Sequence, residues 1–186
     1  MANKDAAFGL KAIGKVGQNR DNQGLSEYQI AASSAAIYQW DAVEMATTGF
    51  ITVAAATDVL LGSLNGVFFT DASTSKPTFA NHLEASNTAT DIVGFVADDP
   101  YERFEVQSAG TPARTDIGAC ADIVYTAGSS PNYVSKVEIN GTTGTGSAQL
   151  KILGVSNDPD NNTLGSANCN LIVTINEHFI KQTAGI

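Results

Sequence analysis

The stretch that most constrains this chain is residues 91–107, DIVGFVADDPYERFEVQ. Ile92, Val93, Phe95 and Val96 make a nearly continuous apolar run, the pattern of a strand covered on both faces. Asp98, Asp99, Pro100 and Tyr101 follow. Proline holds φ near the value required at the second position of a β-turn and pushes the preceding residue to extended geometry. Beyond the turn, Phe104 and Val106 alternate with Arg103, Glu105 and Gln107, the two-residue period of a half-buried strand. The stretch therefore predicts a hairpin at the middle of a β core. Asp98, Asp99, Glu102 and Glu105 lie close together, but the alternation turns Glu105 outward and the proline makes the aspartates turn formers.

The same texture recurs along the chain. Residues 36–40 (AIYQW), 50–53 (FITV) and 67–70 (VFFT) are short runs rich in β-branched and aromatic residues, and each predicts a strand. Asn65-Gly66 suits a tight turn or a bulge. Residues 121–125 (ADIVY) and 133–139 read as strands, and the sequence NGTTGTGS at 140–147 as a flexible hairpin connection. Ala148, Leu150 and Ile152 alternate with polar residues, as do Leu171, Val173 and Ile175. Residues 71–91 read as a long polar loop relieved only by Phe79 and Leu83, and a loop of that length is usually functional or covers something. Many short strands with no long helix predict an all-β fold, a sandwich or barrel-like single domain over residues 25–186.

Residues 1–24 read differently. Phe8, Leu10, Ile13 and Val16 are isolated among Ala, Gly, Lys, Asn and Gln, a spacing that fits neither helix nor strand. They predict an extended N-terminal arm with a few anchoring side chains, ordered only against something else. Removing residues 1–20 is accordingly expected to leave the domain folded.

Ten basic against nineteen acidic residues give a formal charge of −9, which argues against nucleic acid as a partner because phosphates need clustered cations. Charged residues are 16% of the chain, against roughly 25% in average soluble proteins. That shortfall suits uncharged polar loops, a surface covered by other subunits, or both. The start of the chain does not read as a secretory signal and no apolar run approaches a membrane span, so no membrane is expected. Cys120 and Cys169 are the only cysteines; reduced thiols are the simplest reading, with one disulfide left open.

No motif predicts chemistry. Residues 9–15 match GxxxxGK, but Val16 stands where a P-loop needs Ser or Thr and no buried strand precedes Gly9. Asp158, Asp160 and Asn162 lack the Gly and Glu that a calcium loop requires, with Thr163 and Cys169 in those places. His82 and His178 have no second ligand at zinc spacing. No catalytic residue, metal or cofactor is expected. Trp40, the single tryptophan, reads as a core or interface anchor.

Laid out in this way, the chain resembles a widespread family of small tailed-phage virion proteins, the head decoration or cement proteins. The likeness is carried by residues 3–10 (NKDAAFGL), 76–79 (KPTF), 91–100 with 104–107, 115–118 (TDIG), 175–178 (INEH) and the closing AGI. Where family members often have DAPFG followed by Arg-Pro, this chain has Ala7 and Lys11-Ala12, so two φ-fixing prolines are missing from the arm. The family's Gly-Asp-Pro-Val is here Trp40-Asp41-Ala42-Val43. The resemblance implies a virion structural protein, assembled in the host cytoplasm and placed on the capsid exterior. It would bind the major capsid protein at subunit seams and associate with itself, as a trimer by preference. Phe8, Leu10, Ile13 and Trp40 are the expected capsid or subunit contacts. A virion-displayed carbohydrate-binding or host-adhesion module is the alternative.

Overall fold

The computed structural model describes residues 2–17, 24–144 and 146–181; Arg20 and the closing residues 184–186 lie outside them. The fold is an all-β sandwich. One antiparallel sheet runs β1 (Lys11–Lys15), β8 (Glu102–Gln107), β13 (Asn170–Ile175), β12 (Leu150–Val155) and β9 (Cys120–Ala121). The other runs β2 (Ser26–Gln29), β7 (Val93–Ala97), β5 (Leu60–Thr70), β3 (Ala42–Met45) and β4 (Ile51–Val53), with β6 (Pro77–Ala80) beside the far half of β5. A two-stranded piece, β10 (Ile123–Val124) and β11 (Glu138–Ile139), completes it.

The central stretch is not a hairpin. β7 pairs with β2 and β5 in one sheet, whereas β8 pairs with β1 and β13 in the other. The turn itself is as the proline requires, with the Glu102 N–H donating to the Asp99 carbonyl at 2.9 Å. The chain uses that turn to cross between layers, and each aspartate holds one of them. Asp98 accepts from the Ser26 and Tyr28 hydroxyls at 2.9 and 2.6 Å, on edge strand β2. Asp99 pairs with Lys15 at 2.7 Å, on edge strand β1.

Two cores follow from the alternation. Phe104, Val106, Leu150, Ile152, Leu171, Val173 and Ile175 face Ala42, Leu60 and Ala97 between the sheets. Val43, Leu61 and Val96, the chain neighbours of those last residues, point the other way into a second cluster with Ile37, Leu64, Leu83 and Ile92. Consecutive apolar residues in β3, β5 and β7 thus serve two cores, which is what a run such as Leu60-Leu61 is for. In β7 the double coverage is partial, since Val93 and Phe95 are only half-buried.

Several local readings are corrected. Residues 36–40 form no strand; Ile37 and Gln39 make single bridges to Leu83 and Val134. The long polar loop contains β6, whose register sets Phe79 opposite Phe68. Residues 121–125 split between β9 and β10, in different sheets, and only the end of 133–139 is strand. The 140–147 segment joins β11 to β12 across two sheets rather than closing a hairpin. Two readings hold: Asn65-Gly66 is the bulge that was one of its two expected forms, the register with β7 shifting between Leu64 and Gly66, and Cys120 and Cys169 are both free thiols, as the simplest reading had them.

The N-terminal segment is extended over residues 2–10, but it does not wait for another molecule. β1 pairs with β8, and Leu10 is wholly buried in the core between the sheets. The sequence missed β1 because its register slips between Ala12 and Gly14, which breaks the two-residue period.

If the two aspartates clamp the layers, breaking their contacts should cost unequal amounts. Asp98→Ala leaves two part-buried hydroxyls, of Ser26 and Tyr28, without their carboxylate acceptor and is expected to cost about 2–3 kcal/mol. Lys15→Ala breaks a partly exposed pair and should cost about 1 kcal/mol or less. Urea unfolding of both variants checks this; equal losses would contradict it.

Candidate interaction surface

The arm is held by side-chain amides. With no strand beside residues 3–6, their backbone groups need partners that both donate and accept, and a carboxamide does both. Gln107, fully buried at the end of β8, donates to the Lys4 carbonyl at 3.0 Å and accepts from the Ala6 N–H at 2.9 Å. Asn161 accepts from the Lys4 N–H at 2.7 Å and donates to its carbonyl at 2.9 Å. Asn3 donates to the carbonyls of Thr163 and Ala167 at 3.0 and 2.9 Å. Asn170 and Asp158 support this network, the Asn170 amide donating to Asp158 at 3.1 Å. The 158–163 segment is therefore the arm's receptor.

Three of the four expected contact residues meet at the next step. The Leu10 N–H donates to the Trp40 carbonyl at 2.8 Å, and the Leu10 carbonyl accepts from the Ser63 hydroxyl. Phe8 packs edge-to-face on Trp40, ring centroids 6.4 Å apart, and the Lys11 ammonium lies 5.7 Å from the same ring. Trp40 has φ +66°, a left-handed conformation that a bulky residue adopts only when its surroundings insist. They do: its N–H donates to Leu64 while its carbonyl holds the arm. Gly9 makes this approach possible, with φ +85° and a site where a Cβ would lie 2.3 Å from the Trp40 carbonyl oxygen. Leu10 is committed to its own core, and Ile13, 36% exposed, lies apart from the Phe8–Trp40 pair on the bulge of β1.

The Phe8–Trp40 pair stands between two depressions. One, of about 400 Å³, is lined by Ala7, Phe8, Ser129, Pro131, Val134 and Lys136. The other, of about 90 Å³, is lined by Ala12, Leu25, Trp40, Ser63, Asn65 and Ala97. Beside the larger groove, His82 stacks on Tyr133 with centroids 3.8 Å apart, and Tyr38 lies parallel to both.

A second apolar surface was not anticipated. On β7, Val93, Phe95 and Ala97 share a face; Ala97 is under the other sheet, but Phe95 and Val93 lie beyond its reach. Phe68 sits opposite Val93, and Phe79 opposite Phe68. Phe79 is 75% exposed, with ring centroids 4.7 Å from Phe68 and 6.3 Å from Phe95. The signal in the sequence was Phe68-Phe69, adjacent residues that a strand must point to opposite faces.

Two buried ionisable groups, each with one side-chain atom left without a hydrogen bond, complete the chemistry. Asp41, beneath Trp40, accepts from the Tyr38 N–H at 2.7 Å through one carboxylate oxygen, while the other has no partner. His178 accepts from the Ile180 N–H at 3.1 Å through Nδ1, and its Nε2 has none. Among the described residues no group of three or more His, Cys, Asp or Glu could hold a metal ion. No helix among them is long and apolar enough to cross a membrane. No protein-family model, curated protein or solved structure matches the chain.

Burial raises the Asp41 carboxyl from 3.8 to about 6. The folded state therefore binds that proton more tightly, favouring folding most below pH 3.8 and losing the contribution as pH rises through 6. Burial, helped by Lys181, lowers His178 from 6.5 to about 4, so its contribution is full above 6.5 and is lost as pH falls toward 4. Each shift corresponds to about 3 kcal/mol, with opposite sign over nearly the same window. Relative to the parent chain, Asp41→Asn should lose stability on acidification from pH 6.5 to 4, and His178→Gln should gain it. Urea titrations across that window decide; three parallel profiles would contradict both assignments.

Proposed function

We propose that this chain is a virion structural protein that decorates a phage capsid, binding the outer surface of the shell at subunit seams and opposing their separation. The observation that carries this reading is the arm junction: Phe8 and Trp40, half-buried, are fixed between two open depressions by a backbone that no longer has to order on binding. The segment that builds it, residues 3–10, is one of those that carry the resemblance. Another, residues 76–79, puts Phe79 outward.

The mechanism is mechanical. Apolar side chains of the major capsid protein would fill the groove beside Phe8 and cover the Phe8–Trp40 pair. Covering what these two rings still expose removes on the order of 100 Å², about 2–3 kcal/mol. That is less than the roughly 4–15 kcal/mol of freedom lost on association. The junction must therefore act with further contact area and with several attached copies. Preorganisation of the arm lowers the cost per copy, which is its physical advantage over an arm ordered only on the shell.

A glycan-binding role is the second reading, favoured by the Tyr38, His82 and Tyr133 rings bordered by Asn81, Gln39 and Asn132. It ranks lower because these rings cover one another. Specific glycan-array binding that Tyr133→Ala abolishes would reverse the order.

Co-sedimentation with expanded capsids tests the leading reading. Phe8→Ala is expected to weaken attachment roughly tenfold or more, with the fold intact by circular dichroism. Unchanged attachment would remove the junction from the interface, and no attachment by the parent chain would remove the function. Deleting residues 1–20 is a poor substitute. It takes Leu10 out of the core and β1 out of its sheet, so a destabilised domain is the expected result rather than a folded one.

A further inference from the structure

We propose that the wedge between the N-terminal arm and residues 134–138 holds an extended segment of a partner protein, joined by its backbone to Asp5 and Ala7 and bringing a basic side chain two positions from an apolar one. An extended chain points the peptide groups of successive residues to opposite sides. The N–H and carbonyl of Lys4 and the N–H of Ala6 are taken by Asn161 and Gln107, so those of Asp5 and Ala7 point away from that network. Among the described residues no hydrogen bond reaches either backbone. They form an open edge, the kind of template to which a second extended chain adds. The inference deepens the capsid reading and rests on it only for which protein supplies the segment.

The opposite wall is built by alternation. Ser135, Val137 and Ile139 are buried, so Val134, Lys136 and Glu138 face outward between them. The wedge closes at Gly9, where a Cβ would lie 2.5 Å from the Ser135 Cβ. Toward Asp5 it opens into a depression of about 370 Å³ lined by Asp5, Ala6, Ala7, Thr126, Lys136 and Glu138. Ala7 and Lys136 also line the groove beside Phe8, so the two run together. One end therefore offers Asp5 and Glu138, and the other Phe8, Pro131 and Val134.

Charge says what the segment carries. Among the described residues neither Asp5 nor Glu138 has an ion pair or a side-chain hydrogen bond. Burial, and then the charge of Asp5, raise the Glu138 carboxyl above its ordinary range. Lys136, the cation in the lining, is exposed and pairs with neither. A basic side chain from outside relieves the repulsion between the two acids. An apolar side chain two positions away points to the same side of an extended segment and reaches the groove beside Phe8. A sugar would leave both carboxylates without a counter-charge, and a folded surface does not match a row of free peptide groups. An extended basic and apolar segment meets both.

Amide hydrogen exchange followed by NMR tests this with two short synthetic probes, blocked at both ends. Each has Arg or Glu at its centre, Val two positions to either side, and Thr elsewhere. The Arg peptide is expected to slow exchange at Asp5 and Ala7, whereas Lys4 and Ala6 are already slow in the free chain. It should bind roughly tenfold or more tightly than the Glu peptide, and lose binding when the amides along one of its edges are N-methylated. Glu138→Lys should reverse the charge preference with circular dichroism unchanged. Unaltered exchange at Asp5 and Ala7, a preference that Glu138→Lys leaves in place, or binding that survives N-methylation of either edge would overturn the proposal. Co-sedimentation with capsids separates it from the decoration role. Attachment that a saturating Arg peptide does not reduce keeps the role and overturns the segment; peptide binding without attachment keeps the segment and removes the role.

Discussion

The sandwich depends on the corner between β7 and β8. A strand buried in one sheet leaves it, turns at Asp99-Pro100, and enters the other, so a rigid four-residue turn sets how the two layers lie. Asp98 holds the edge strand of the sheet being left, through Ser26 and Tyr28. Asp99 holds the edge strand of the sheet being entered, through Lys15. Glu102, buried at the start of β8, accepts from the Gly14 N–H at 3.0 Å and closes the bulge of β1. With the layers so placed, Leu60 and Phe104 share a core, and Leu10 has a socket.

The arm is the second consequence. An extended segment lying on a sandwich must satisfy its own peptide groups, and here buried amides substitute for a neighbouring strand. Gln107, Asn161 and Asn170 are costly to bury unless each finds partners; the arm supplies them to Gln107 and Asn161, and Asn170 finds its own in those two amides and Asp158. Arm and amides therefore stabilise one another, and what emerges at the far end is a fixed aromatic pair rather than a loose tether. Asp41, buried below that pair with an oxygen unpartnered, opposes folding at neutral pH. The geometry around Trp40 is held against both this charge and its own strained backbone.

Much of the fold was legible in the sequence because it rests on alternation. β8, β12 and β13 each carry the two-residue period, and the all-β class follows from them. Pairing was not legible. A strand, a proline turn and a strand read as a hairpin, and nothing local says that the two halves belong to different sheets; that depends on where β1 and β13 find room. β1 was lost to a bulge, and β6 to a segment with a single large apolar residue that faces outward. Of the site, Phe8, Leu10 and Trp40 were visible as isolated apolar residues, but Leu10 turned out to be core. The amide network was invisible because Gln107 and Asn161 look like any polar residue at a strand end or turn. The aromatic face was hidden because exposure of Phe79 follows from one sheet overreaching the other.

A preorganised arm, a fixed aromatic junction and an exposed aromatic face are the features on which the proposed role in a virion rests. In the proposed setting the chain contributes shape and apolar contact to a shell that others build. The most direct measurement is a cryo-EM reconstruction of the virion that carries it. The β-sandwich is expected on the outer surface, with Phe8, Trp40 and the groove beside them against a seam between capsid subunits. A capsid exterior without this density, or the domain bound through a face that leaves the arm junction in solvent, would contradict the central claim.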